Sequence, residues 1–196
     1  MFKRPFVIFS VGAALLSGAA FAQEDYTAYK SEVAAQAMGS FVKQTTQDSV
    51  KQEATNSSGV IGTYRFWFNR HNGVEGNYAW TQNTEKYNRV GVDSNLHEIS
   101  AAYVFRMPMK RFSLFVLGGA GTLVFDPRNS TAADTQTRAA FVYGAGADIN
   151  LTDHLFVRGE YRGLVYNSPT YELADFKGLD RVTHRAEPTV GFGFRF

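Results

Sequence analysis

Apolar and polar positions alternate with a period of two over much of the chain. The last stretch, Pro188–Phe196, shows this most plainly: Val190, Phe192, Phe194 and Phe196 share one parity, and Thr189, Gly191, Gly193 and Arg195 share the other. A period of two predicts a β-strand with one apolar and one polar face. Eight such segments are expected, at Val33–Gln44, Gly59–Phe68, Val74–Gln82, Asn95–Arg106, Phe112–Phe125, Thr137–Ile149, Leu155–Tyr166 and His184–Phe196. Short connections rich in turn-forming residues (Asn69–Gly73, Met107–Arg111, Asn150–His154) alternate with long polar ones (Thr45–Ser58, Asn83–Ser94, Asp126–Gln136, Asn167–Thr183). The rhythm predicts an all-β, antiparallel up-and-down meander, with the long connections as exposed loops. Because eight is even, both chain ends fall on the side of the short turns.

The charges are sorted by parity. In four segments one face reads Gly62, Tyr64, Phe66, Phe68; Val74, Gly76, Tyr78, Trp80; Leu155, Val157, Gly159, Tyr161; and Ala186, Pro188, Val190, Phe192, without a charge. The opposite parities hold Arg65, Glu75, Arg158, Glu160, Arg162, Arg185, Glu187 and Arg195. A soluble barrel puts the aromatic face inside, but an eight-stranded barrel has barely room for ordinary side chains, and each aromatic buries about 150–250 Å². Facing outward into lipid, the same aromatics fit without crowding. The segments are also long enough, since a strand tilted by about 45° crosses a bilayer in roughly 9–11 residues.

An eight-stranded transmembrane β-barrel must close, because hydrocarbon offers no partner to a free backbone N–H or C=O. Its inward charges must be paired. With Glu98 and Asp148 added, five bases (Arg65, Arg158, Arg162, Arg185, Arg195) are expected to face five acids (Glu75, Glu98, Asp148, Glu160, Glu187) in a salt-bridged lumen closed to bulk water. Two features strain this pattern. Pro188 lacks an N–H, which predicts a bulge or a locally broken bond, and the fifth segment, FSLFVLGGAGTLVF, is apolar on both parities, so its faces stay unassigned.

The N-terminus adds a destination. Lys3-Arg4, an apolar run from Phe6 to Leu16, and Ala20-Phe21-Ala22 before Gln23 fit a cleaved secretory signal peptide at 1–22. A short segment at 23–32 and one barrel domain at 33–196 follow. Of 20 Lys plus Arg and 18 Asp plus Glu, cleavage removes two bases, leaving a neutral mature chain. That balance argues against a nucleic-acid partner. With no cysteine there is no disulfide and no thiolate metal site.

Chemistry is sparse. Of the four histidines, His71 and His154 lie in short turns, and parity places His97 outward near the headgroups. His184 stands beside the loop carrying Glu172, Asp175 and Asp180, and as a functional guess it serves there as a general base or metal ligand. No metal or triad spacing supports that guess, so neither a catalytic nor a metal site is assigned and no cofactor is expected. Gly118–Gly121 lies inside a strand with no helix following, which suits close packing in the wall better than phosphate binding.

The eight strands, the short-turn and long-loop rhythm, the segments FVLGGAGTLVF and FVYGAGADI, and the closing VGFGFRF together resemble the small outer-membrane β-barrel proteins of Gram-negative-type bacteria, similar to the transmembrane domains of OmpA and OmpX. The resemblance covers Val33–Phe196 and the signal peptide. It implies a bacterial outer-membrane location, outer-membrane lipid and the assembly machinery as partners, and an assembly signal at Val190, Phe192, Phe194 and Phe196. The larger members' peptidoglycan-binding domain is not expected here, so the resemblance implies no cell-wall anchoring role. The leading expectation is a monomeric, non-enzymatic barrel whose loops contact an extracellular ligand. A lipid A-modifying enzyme and a soluble periplasmic ligand-binding barrel are the alternatives, and the enzyme is disfavoured because no histidine has a serine two residues later, as the deacylases of this size do.

Overall fold

The computed structural model describes residues 26–42, 45–47, 50–54, 57–87, 90–127, 135–167 and 182–196. The expected signal peptide lies outside these residues, as do Glu172, Asp175 and Asp180. After one 3-10 turn (Tyr26–Ala28) the regular structure among the described residues is all strand: β1 (Ser31–Val42), β2 (Thr45–Gln47), β3 (Val50–Ala54), β4 (Ser57–Trp67), β5 (Asn72–Tyr87), β6 (Val90–Pro108), β7 (Phe112–Pro127), β8 (Gln136–Asn150), β9 (Leu155–Asn167) and β10 (Val182–Arg195).

Every ladder is antiparallel. β1 and β4–β10 form an eight-stranded wall in meander order, and β10 returns to β1 through pairs such as Glu32↔Arg195 and Ala35↔Phe192. The last residue takes part in closure: Ser31 N–H donates to Phe196 O at 3.1 Å, and Phe196 N–H donates to Ser31 O at 2.9 Å. No edge is left between the first and last strands, which is what hydrocarbon requires of a spanning sheet.

On the long-loop side the strands outrun the predicted segments. β5 and β6 pair beyond Thr81, the last partner of β4, as far as Tyr87↔Val90, and β2 and β3 form a short hairpin laid beside upper β5. The segments expected as irregular loops at 45–58 and 83–94 are therefore largely strand. The apolar alternation stops there, but ladder hydrogen bonding needs no apolar face, so the pairing continues.

The alternation of side chains fixes the faces. Val60, Tyr64, Tyr78, Ile99, Tyr103, Phe141, Tyr161, Val190, Phe192 and Phe194 point outward and are exposed. β7 resolves as well: Phe115, Leu117, Leu123 and Phe125 point in, while Phe112, Leu114 and Val116 point out. Its inner residues join Val104, Val142 and Leu164 in an apolar cluster, which is why both parities read as apolar. At Pro188 the β1–β10 ladder lapses between Met38↔Thr189 and Phe41↔Ala186 without a change of register. The missing N–H breaks the bond locally, and no bulge forms.

Candidate functional site

The barrel interior is the chemically dense part of the molecule. Among the described residues six arginines and six carboxylates are buried there: the ten expected residues together with Glu32 and Arg106. Alternation along the strands places them inward, and the narrow bore brings opposite walls within reach.

On the side of the short turns, Glu32 of β1 is a hub. Its Oε1 accepts from Arg195 Nε at 2.9 Å and from Arg106 Nη1 at 3.1 Å, and its Oε2 accepts from Arg158 Nη2 at 3.0 Å. Arg158 also grips Asp148 with two bonds, at 2.7 and 2.9 Å. Arg65 donates to Glu75 through Nε at 2.7 Å and pairs with Asp148 of the opposite wall at 3.8 Å. The guanidinium faces lie on inward rings: Arg106 over Trp67 at 3.8 Å, Arg65 over Phe115 at 4.2 Å, and Arg195 over Phe156 at 4.2 Å.

Two turn histidines support this cluster in the same way. His71 Nδ1–H donates to Arg106 O at 3.0 Å, and His154 Nδ1–H donates to Arg195 O at 2.9 Å. A carbonyl only accepts, so each Nδ1 carries its proton. Each histidine carbonyl in turn accepts the N–H of the same arginine, at 2.7 and 2.8 Å. Two of the three arginines that meet Glu32 thus have their backbone anchored by a turn.

Toward the long-loop side, Arg162 of β9 donates to Glu98 of β6 at 2.6 Å and to Ser100 Oγ at 2.9 Å. Glu160 and Glu187 lie 3.6 and 3.7 Å from the same guanidinium. Arg185 pairs with Glu187 at 2.7 Å and donates to Thr81 at 3.1 Å. Neither oxygen of Glu160 accepts a hydrogen bond from the protein, so this cluster is looser than the one around Glu32. Neutral side chains link up through the middle of the bore: Thr189 donates to Gln36 at 3.0 Å, Gln36 to Thr63 at 3.5 Å and Thr63 to Asn77 at 2.8 Å, and Asn77 donates onward to the Glu75 carboxylate at 2.8 Å.

Some wall glycines are required by their neighbours. A Cβ on Gly193 would sit 2.1 Å from Phe156 Cζ, and one on Gly163 would sit 2.4 Å from Tyr143 Cζ. The Tyr143 ring crosses Gly163 on the outer face to hydrogen-bond His184 Nε2 at 2.7 Å. His97 makes the matching outer-face bond to Tyr78 OH at 2.8 Å. The carboxylates expected beside His184 fall outside the described residues, and among the described residues no group of three or more His, Cys, Asp or Glu is placed to hold a metal.

Glu32 and Arg106 escaped the sequence reading for different reasons. Arg106 shares the parity of Glu98 on the same strand, so its signal was present. Glu32 lay one residue before the expected start of the first strand.

A closed antiparallel cylinder with an apolar exterior and an ionic bore is an integral membrane β-barrel. The chain belongs to the outer membrane protein beta-barrel domain family, whose model matches residues 9–196, and it is a protein of the bacterial outer membrane. No curated protein matches the sequence. Among solved structures, Ail, the attachment invasion locus protein of Yersinia pestis, is 24% identical with a TM-score of 0.55, the match covering 86% of this chain and 99% of that one. OprG from Pseudomonas aeruginosa is 16% identical with a TM-score of 0.58, covering 86% and 96%. Neisserial surface protein A is 12% identical with a TM-score of 0.65, covering 85% and 97%. At these identities the likeness is one of fold.

Proposed function

We propose that the chain is a monomeric, non-enzymatic barrel with a plugged lumen, which works through the strands and loops it raises outside the membrane. Cross-bore ion pairing carries this reading. Arg65 and Asp148 stand on opposite walls at 3.8 Å, and Arg162 of β9 meets Glu98 of β6 at 2.6 Å, so guanidinium groups occupy the path a solute takes. An uncompensated buried charge is costly, and that cost opposes swinging these arginines aside to open a channel.

The prolonged β5–β6 hairpin and the β2–β3 hairpin beside it supply a surface beyond the wall for an extracellular partner. The segments 45–58, 83–94, 126–136 and 167–183 carry nine carboxylates against six basic side chains. Ail was crystallised with the heparin analogue sucrose octasulfate, but a net-acidic outer surface suits a neutral or cationic partner better than a polyanion. Residues 1–22 act as the cleaved signal. Val190, Phe192, Phe194 and Phe196, outward-facing at the closing seam, are the strand the assembly machinery reads.

The test is conductance. Folded protein in planar bilayers should give no stable steps, and solute-loaded vesicles carrying it should not leak. A reproducible open level in the unmodified protein refutes the plugged lumen.

A further inference from the structure

Beyond the outer surface and the bore, the opposite rim carries a feature of its own. The turn joining β4 to β5 holds exposed Arg70 and His71, and the turn joining β6 to β7 holds exposed Lys110 and Arg111. No acid occurs in either turn, whose residues read Phe68-Asn69-Arg70-His71 and Met109-Lys110-Arg111. The single acid in the short turns is Asp153, in the third turn. The basic pair of turns is held in place: Arg106 Nε donates to Arg70 O at 3.2 Å, Arg106 N–H donates to His71 O at 2.7 Å, and Asn150 N–H donates to Arg111 O at 3.0 Å. β5 and β6 are paired neighbours, so the two turns stand about two strand spacings, roughly 10 Å, apart.

The same sector continues into the lipid-facing wall. Phe68, Phe105, Met107, Met109 and Phe112 are all exposed, which gives an apolar belt with cations directly beyond it. In outer-membrane barrels the short turns face the periplasm, so this belt meets the inner leaflet. The barrel is then polarised, with basic side chains at the periplasmic rim and an excess of carboxylates on the outer segments.

We propose that the turns carrying Arg70, Lys110 and Arg111 bind the headgroup of an acidic phospholipid of the inner leaflet, of the phosphatidylglycerol class. The apolar belt takes the acyl chains, and the two turns supply cations spaced to meet one headgroup from both sides. Charge complementarity and continuity with the lipid-facing wall favour a lipid over a soluble anion, because a free phosphate makes no use of the belt.

The test uses the folded mature chain in phosphatidylcholine bilayers with trace spin-labelled phosphatidylglycerol or phosphatidylcholine, comparing the fraction of each held at the protein boundary. Selectivity for the acidic lipid should be about fivefold or more, the effect of one basic residue near an anionic surface. It should fall toward unity in Arg70→Gln/Lys110→Gln/Arg111→Gln and in the unmodified protein at about 1 M salt. Arg70→Lys/Arg111→Lys should keep it, and millimolar inorganic phosphate should not displace it. Equal retention of both lipids by the unmodified protein, selectivity surviving in the triple variant, or displacement by free phosphate would each overturn the proposal. If the triple variant fails to fold, the salt series on the unmodified protein decides: selectivity unchanged at high salt refutes the electrostatic site.

Discussion

Replacing Glu32 with alanine tests the interior most directly. Three arginines give up a bond each: Arg195 at 2.9 Å, Arg158 at 3.0 Å and Arg106 at 3.1 Å. Their fallbacks differ. Arg158 keeps its two bonds to Asp148, Arg195 keeps Asn150 at 2.8 Å, and Arg106 keeps Arg70 O at 3.2 Å and the Trp67 face at 3.8 Å. Arg158 and Arg195 both still face Asp148, at 2.7 and 3.8 Å. Breaking a buried pair by deleting one partner costs about 3–5 kcal/mol, because a charge is left uncompensated, and Glu32→Ala should destabilise the barrel by about that much. Urea titration in lipid micelles, followed by tryptophan fluorescence, reads it, since Trp67 is buried directly under Arg106. Glu32→Ala/Arg106→Met should be more stable than Glu32→Ala alone, because it removes one of the three cations that lose the Glu32 carboxylate. A loss below about 1 kcal/mol in the single variant, or no recovery in the double one, refutes the hub.

Gly193→Ala drives a methyl group against the Phe156 ring, which also carries Arg195 at 4.2 Å; overpacking of this kind costs about 1–3 kcal/mol, to be read as a lower urea midpoint. Gly163→Ala displaces Tyr143 and should break its bond to His184 Nε2, visible as changed His184 ring chemical shifts by NMR, while gel migration should still differ between unboiled and boiled samples as expected of a folded barrel. Deleting Phe196 should reduce the folded fraction in cells far more than it reduces refolding in vitro, as a recognition signal requires; equal losses in both assays would make the residue merely structural. Mass spectrometry of the exported protein should give a mature chain beginning at Gln23, and an intact N-terminus rules out the cleavage.

The wall was readable because lipid imposes a strict rule on every second residue, and Phe192 and Phe194 obey it on the outer face. The height of β5 and β6 was not readable, since above the bilayer both faces meet water and the period of two carries no apolar mark. β7 hid its orientation for the opposite reason: its inner residues Phe115 and Leu123 are as apolar as its outer Leu114 and Val116. In the interior, parity alone located ten of the twelve charges buried among the described residues, and it reaches Arg106 too when applied to the last residue of the expected segment Asn95–Arg106. Which charge meets which depends on the register around the cylinder, and a single strand's alternation does not contain that. Glu32 meets Arg158 across 126 positions of sequence.

The division of the bore explains why aromatic rings occur on the inner face at all. The charges gather on β1, β4, β5, β9 and β10, with β6 contributing Glu98 and Arg106 and β8 contributing Asp148, whereas the apolar cluster is built largely from β6, β7 and β8. A guanidinium at that boundary has carboxylates for its edge but nothing polar for its face. Trp67, Phe115 and Phe156 fill that place, each buried and each within 4.2 Å of an arginine. A planar cation is suited to this double contact, hydrogen-bonding in its plane and stacking across it, and a lysine is not. All six buried bases among the described residues are arginine, so Arg106→Lys should lose stability although the charge is kept, because the ammonium group forfeits the Trp67 face. A variant as stable as the unmodified protein would show that the rings only fill space.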